Sequence, residues 1–221
     1  MIRLASGSPR RRELLALLGV PFAVVSPDID ERATPYPALA KAQAVARPGE
    51  LTLAADTEID LDGERIGKPA DAAEAVATLT RLAGRSHTVR TEVAVISPGG
   101  RLLRFGVRST VTMHGADDNG IRAYVATGEP LDRAGAYAIQ GDGGSLVSWY
   151  DGCYSNIVGL PLCHVFFALR KMGLGVAERP EPAFTRGFGF ECPAWRIAYA
   201  QGRTLRDGLE YDTAQGSTTN G

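Results

Sequence analysis

Apolar positions recur along this chain with two alternating periods, and the switches between them outline an α/β succession. Residues 1–5 form a short buried-strand candidate. From Pro9, Leu14, Leu15 and Leu18 fall on one helical face until Gly19 closes the turn, with Ser8 placed to cap the helix. Residues 21–25 read as a second strand, 26–32 as an acidic loop, and 39–47, rich in alanine and carrying Lys41, as a short helix before Pro48-Gly49. Residues 51–55 form a buried strand that ends in Asp56-Thr57. Asp62-Gly63 predicts a two-residue hairpin, with 58–61 going out and 64–67 returning, so that Lys68 comes back towards Asp56.

Asp71 predicts the cap of a helix in which Ala72, Val76, Leu79 and Leu82 recur at helical spacing up to Gly84. Residues 87–96 and 103–111 alternate Val89, Thr91, Val93, Val95 and then Leu103, Phe105, Val107, Ser109, Val111, the pattern of a long antiparallel hairpin. Asp117 or Asp118 caps a helix through Ile121, Tyr124 and Val125 to Gly128. A glycine-rich loop over 132–144 surrounds a brief strand at 136–139, 145–150 forms another strand, and 161–172 is a final amphipathic helix before Gly173. Beyond it, Pro180, Pro182 and Pro193 interrupt any long element. A short helix is expected within 192–205 around Trp195, Ile197 and Tyr199, and disorder over 213–221. The expected organisation is one domain, 1–173, with a partly disordered C-terminal appendage, 174–221, that docks through Trp195.

Composition narrows the function classes. With 24 basic and 25 acidic side chains among 221 residues, the net charge of −1 supplies no global field for nucleic acid, so any anion site must be local. Three cysteines without metal-ligand spacing point to a reducing compartment, hence the cytoplasm. No signal peptide and no apolar run long enough to span a bilayer are expected, which excludes a membrane role.

Such a local site stands near the beginning. Arg10, Arg11 and Arg12 fill the first turn of the first helix, where the macrodipole already favours negative charge. With Ser6 and Ser8 beside them, they make a candidate phosphate cradle; an exposed basic helix would have the same pattern. Cleaving a phosphoanhydride requires cations for the polyphosphate, carboxylates for a divalent metal, and one carboxylate to activate water. Glu31, Lys41, Asp56 and Lys68 are of the types required, although each alone is an ordinary surface residue.

Together the motifs are specific. LASGSPRRRELLALLG, IDE ending at Glu31, KAQAVA from Lys41, LAADT ending at Thr57, LDGERIGKP from Leu61, GRSHTVRTEVAV from Gly84, GEPLDRAGAYAIQG from Gly128 and YSNIVGLPL from Tyr154 resemble, in order over residues 2–173, the Maf family of nucleoside triphosphate pyrophosphatases. The resemblance implies an α/β fold similar to inosine triphosphate pyrophosphatases: an elongated mixed sheet with flanking helices and a central cleft, commonly homodimeric. It implies hydrolysis of a nucleoside triphosphate to the monophosphate and pyrophosphate with Mg²⁺ or Mn²⁺. Asp56 would be the proton acceptor and, with Glu31, a metal ligand; Lys41 and Lys68 would be catalytic lysines; Ser8, Arg10 and Arg11 would bind phosphate.

Arg10, Thr57 and Gln140 match the branch that cleaves dTTP and UTP, and the Gln140 amide could pair with a pyrimidine edge. Nucleotide-pool sanitation and a part in septum formation or division arrest follow as expectations. A catalytically weak nucleotide-binding regulator of septum formation is the alternative. The segment between Glu31 and Lys41 is shorter than the family's, and Glu58 replaces an apolar residue. Glu58 and Asp60 read as solvated, with Glu58 as an added metal ligand the other possibility. His87, His114 and His164 read as structural, and Arg12 as solvated.

Overall fold

A single strand of eleven residues, β3 (Leu51–Leu61), runs through the middle of the molecule and carries the others. In the computed structural model, which describes residues 1–176 and 179–191, it pairs in parallel with β1 (Ile2–Leu4), and β1 pairs in parallel with β2 (Phe22–Val24). On its other side β3 is antiparallel to β5 (Ser86–Ile96), which leads on to β6 (Leu102–Met113) and β7 (Val147–Asp151). The short β4 (Glu64–Ile66) folds back on the far end of β3. The result is a seven-stranded mixed sheet in the order β2-β1-β3-β5-β6-β7 with β4 attached to β3. The two strand segments expected at 51–55 and 58–61 are therefore one, with Asp56 and Thr57 at its centre rather than at its end.

Helices cover the sheet in three groups. α1 (Pro9–Ala16) and α6 (Leu162–Lys171) pack with Ile2, Leu4, Leu53, Val93 and Val95 into the first core. α3 (Ala72–Leu82) and α4 (Asp118–Ala126) close a second core over Ile59, Leu61 and Val111. On the opposite face α2 (Pro37–Val45) sets Ala38 and Ala42 against Ala54 and Ala94. Those methyl groups fill little space, so the helix lies close to the strands and Lys41, beside Ala42, reaches the sheet.

Local chemistry accounts for many boundaries. Asp71 accepts a hydrogen bond from the Glu74 backbone N–H at 2.8 Å and Asp117 one from Gly120 at 2.7 Å, capping α3 and α4. Asp62 and Gly63 both take positive φ, 56° and 88°, the type I′ geometry of a hairpin turn. One expectation holds in position only and two fail. Ser8 occupies the N-cap position of α1 and Pro9 its first helical position, but the Ser8 side chain makes no capping bond. No strand forms at 136–139. Gly135 and Ala136 adopt consecutive left-handed conformations, φ 70° and 59°, which no strand can include, and the backbone at Gly135 presses so closely on Ile59 that a Cβ there would lie 2.0 Å from Cδ1. The strand expected from 145 begins at Val147, because Asp142–Leu146 is a 3₁₀ turn. The second helix is displaced to Pro37–Val45, and a short helix absent from the pattern, α5 (Tyr154–Val158), follows β7.

Past Gly173 the chain adds α7 (Pro180–Phe188). Phe184 is fully buried and meets the Tyr154 ring edge-on, with centroids 6.0 Å apart; Phe188 and Phe190 join the same aromatic cluster. The expected helix around Trp195 and the expected disorder at 213–221 lie outside the described residues. Truncating Phe184 to Ala removes a ring from this cluster, and a loss of about 3–5 kcal/mol is expected from a shift in urea midpoint at constant slope.

His87 occupies the second core, with Nε2 2.7 Å from the Tyr137 hydroxyl and Nδ1 unpartnered. Burial lowers its pKa from 6.5 to about 4. The unfolded chain therefore takes up a proton below about pH 6.5 that the folded chain refuses until about pH 4. Stability from the neutral ring is complete above the upper value and declines through this window as pH falls. Urea titrations at pH 7 and pH 4.5 should show His87→Gln losing less stability on acidification than the parent; equal losses would remove His87 from the account.

Candidate functional site

The first and second cores form separate clusters that share Tyr150 at their margin. A cleft of about 990 Å³ is lined by Ser6, Ser8, Arg10 and Arg11 from the α1 side, Glu31 and Lys41 from the α2 side, Asp56–Glu58 from β3, and Lys68 and Gln140 from loops. Every site residue expected from the sequence lines it. Neighbouring residues of a strand point to opposite faces, and here both faces of β3 are used. Asp56 turns to α2, where its Oδ1 lies 2.8 Å from Lys41 Nζ. Thr57 turns to α1, where its hydroxyl accepts a 3.1 Å hydrogen bond from Arg11 Nη2.

Lys41 is buried between two carboxylates, since Glu31 Oε2 also lies 2.7 Å from its ammonium. Glu31 begins a 3₁₀ turn, Glu31–Ala33, and α2 starts soon after at Pro37, so the short connection still delivers the lysine to both acids. Above the start of α2, the Arg104 guanidinium stacks on Tyr36, 4.1 Å from the ring centroid, and pairs with the buried Glu92 at 2.7 Å. Glu92 is the cross-strand neighbour of Asp56. Its own cation thus neutralises it beside the Asp56 carboxylate.

Arg11 differs from the other cations of the cleft. Its three hydrogen bonds go to neutral oxygens: Nε to the Gly159 carbonyl at 2.9 Å, Nη1 to Ser6 Oγ at 3.3 Å and Nη2 to Thr57. No carboxylate pairs with it among the described residues. Burial lowers its pKa from the usual arginine value, and the negative charges of Asp56 and Glu31 oppose that shift. Arg10 is lowered for the same reason and donates to the Asp132 carbonyl at 3.4 Å. Arg12 is exposed. Ser8 offers its backbone N–H to Ser6 Oγ at 3.2 Å.

Lys68 stands across the cleft in an exposed pair with Asp132 at 2.5 Å, an interaction of small energetic worth that a ligand can replace. Gln140 lies in a loop braced from below, where Glu129 accepts from the Gly143 N–H and the Tyr124 hydroxyl from the Ala138 N–H, both at 3.2 Å. Burial raises the Tyr124 hydroxyl above its ordinary pKa, so it stays protonated and available to the loop. Glu58 is not solvated as expected. It is partly buried, 3.2 Å from Arg90 across the strand and 3.4 Å from Arg65 of β4, and these cations occupy the carboxylate that might otherwise have served a metal. Asp60 accepts from the Gly63 N–H at 2.9 Å and supports the hairpin turn.

A divalent cation fits this donor set as a shared ion. No group of three or more His, Cys, Asp and Glu is poised for a metal among the described residues. Lys41 meets Glu31 at Oε2 and Asp56 at Oδ1, which brings the two carboxylates to one cation. Two hard carboxylates completed by substrate phosphates are the usual provision for Mg²⁺.

Four contributors were not singled out from the sequence. Asn156, fully buried, donates to the Val89 carbonyl at 3.1 Å and to Ser109 Oγ at 3.0 Å, fixing α5 against β5 and β6. Gly159, just past α5, supplies the carbonyl that holds Arg11. Thr91 joins Thr57 to the Asn156 carbonyl. Arg133 lines the cleft with its Nε unpartnered. For Thr91 a signal existed: it is the one hydroxyl within the apolar alternation Val89, Val93, Val95.

The sequence profile of the Maf-like protein family matches residues 1–172. A dTTP/UTP pyrophosphatase of Myxococcus xanthus is 47% identical over 192 residues, spanning 81% of this chain and 96% of its own length. Another from Moorella thermoacetica is 48% identical over 188 residues, spanning 80% and 97%. A solved nucleoside-triphosphatase / dITP/XTP pyrophosphatase from Mycobacterium abscessus overlaps 51% of this chain and 72% of its own, with 22% identity and a TM-score of 0.35.

Proposed function

Since the chain belongs to the Maf-like protein family, we propose that it hydrolyses nucleoside triphosphates to the monophosphate and pyrophosphate, with dTTP and UTP as preferred substrates. The observation that carries the reading is Arg11, a cation fixed by three neutral oxygens and paired with no carboxylate among the described residues, facing a cleft that also holds Glu31, Asp56, Lys41 and Lys68. The relatives named dTTP/UTP pyrophosphatase support the pyrimidine preference.

In this reading Arg11 binds the polyphosphate, with Arg10, Ser8 and Lys68 along its length. Lys68 exchanges Asp132 for a phosphate oxygen. Asp56, held by Lys41, takes a proton from water as the water oxygen bonds to the α-phosphorus and the bond to the bridging oxygen breaks. Pyrophosphate leaves with the electron pair of that bond, its charge met by Arg11 and Lys68. Glu31 and Asp56 would hold Mg²⁺ or Mn²⁺, which would supply neutralisation of the phosphate charge. Thr57 and Gln140 face the nucleotide and select among bases and sugars. Clearance of pyrimidine triphosphates from the nucleotide pool is the physiological role that fits this chemistry.

A panel of nucleoside triphosphates assayed for pyrophosphate release with Mg²⁺ or Mn²⁺ tests the function, with dTTP and UTP expected fastest and chelator abolishing turnover. Asp56→Asn should lower kcat by about 10²–10⁴-fold while nucleotide still binds. Arg11→Ala should raise KM and lower kcat, whereas Arg12→Ala, at an exposed position, should change neither. Parent-like turnover in Asp56→Asn would reject the assignment of the base.

A further inference from the structure

Thr91 lies in the middle of β5, fully buried on the face that also carries His87, Val89, Val93 and Val95, where an unbonded hydroxyl would be costly. It makes two hydrogen bonds: 3.0 Å to the Asn156 carbonyl and 2.9 Å to the Thr57 hydroxyl. A carbonyl oxygen can only accept, and a threonine hydroxyl has one proton. Thr91 therefore donates to Asn156, and its remaining capacity towards Thr57 is as an acceptor. Thr57 must then donate to Thr91, which leaves its oxygen to accept from Arg11 Nη2 at 3.1 Å. The chain of bonds has a single direction, Arg11 to Thr57 to Thr91 to the Asn156 carbonyl. Its far end is immobile, because the Asn156 amide is itself bonded to Val89 and Ser109.

We propose that Thr91 is a positioning residue of the cleft, whose buried hydroxyl sets the direction of this chain and thereby holds Arg11 ready for a phosphate-bearing anion. The inference rests on the reading of Arg11 as the polyphosphate anchor. Of the five N–H groups on Arg11, one goes to Gly159, one to Ser6 and one to Thr57, so one on each terminal nitrogen remains for a ligand. Without the Thr91 hydroxyl, the Thr57 proton loses its acceptor and can rotate towards Arg11, setting donor against donor. The guanidinium is then released from one of its three supports.

Calorimetric titration of the full chain with inorganic pyrophosphate tests this without depending on turnover. Thr91→Val, nearly isosteric, should bind pyrophosphate about fivefold more weakly than the parent, the scale of one lost hydrogen bond. Thr91→Ser, which restores the hydroxyl, should bind like the parent. In an Arg11→Ala background, Thr91→Val should have no further effect, as coupling through Arg11 demands. Should Thr91→Val not fold, Thr57→Val, at the partly exposed end of the chain, is expected to give the same loss and the same dependence on Arg11. Parent-like binding by the valine variant, failure of serine to rescue, an undiminished effect without Arg11, or no pyrophosphate binding by the parent would each overturn the proposal. Nucleotide turnover by the parent is scored separately: its absence, with the coupling intact, would reject the hydrolase and leave the positioning role standing.

Discussion

The alternation of side chains along β3 is the constraint from which the cleft follows. A strand must send Asp56 and Thr57 to opposite faces, and the chain covers those faces with different helices, α2 with its lysine and α1 with its arginines. The carboxylate paired with Lys41 and the hydroxyl that meets Arg11 are thus one residue apart in sequence yet separately supported. The antiparallel neighbours β5 and β6 complete the arrangement, placing the Glu92–Arg104 pair beside Asp56 and Thr91 beneath Thr57. A one-residue slip in the register of β3 would exchange the two faces and leave each helix opposite the wrong group.

Electrostatics in the cleft is arranged by pairing. Lys41 is shared by Glu31 and Asp56, Glu58 by Arg65 and Arg90, and Asp132 meets both Lys68 and Arg133. Against this background Arg11 is distinguished by its neutral partners. A cation in a partly buried site with no carboxylate in direct contact is held at a cost in solvation that an anionic ligand would reduce.

Much of this was legible in the chain, for identifiable reasons. Asp71, Asp117 and the Asp62-Gly63 pair act through bonds within a few residues, and such local chemistry survives any tertiary context. The cleft residues were legible as a set because their motifs occur in the order of a known family. What could not be read depended on contacts distant in sequence. Gly135, packed against Ile59 too closely for a side chain, and Ala136 take left-handed conformations, so an apparent strand at 136–139 never forms. The Glu58 carboxylate finds Arg90 only once β5 lies alongside. Ser8 looked like a cap, yet its hydroxyl makes no such bond. Asn156 and Gly159 act through α5, a helix too short to show a period.

The three neutral oxygens around Arg11 have a consequence for the timing of entropy loss. A free arginine side chain surrenders on the order of 2 kcal/mol of rotamer freedom when it is immobilised. Here Gly159, Ser6 and Thr57 immobilise it when the chain folds, so that loss is borne by folding and is absent from the ligand-binding step. An anion that docks at Arg11 would therefore meet a side chain already in one rotamer.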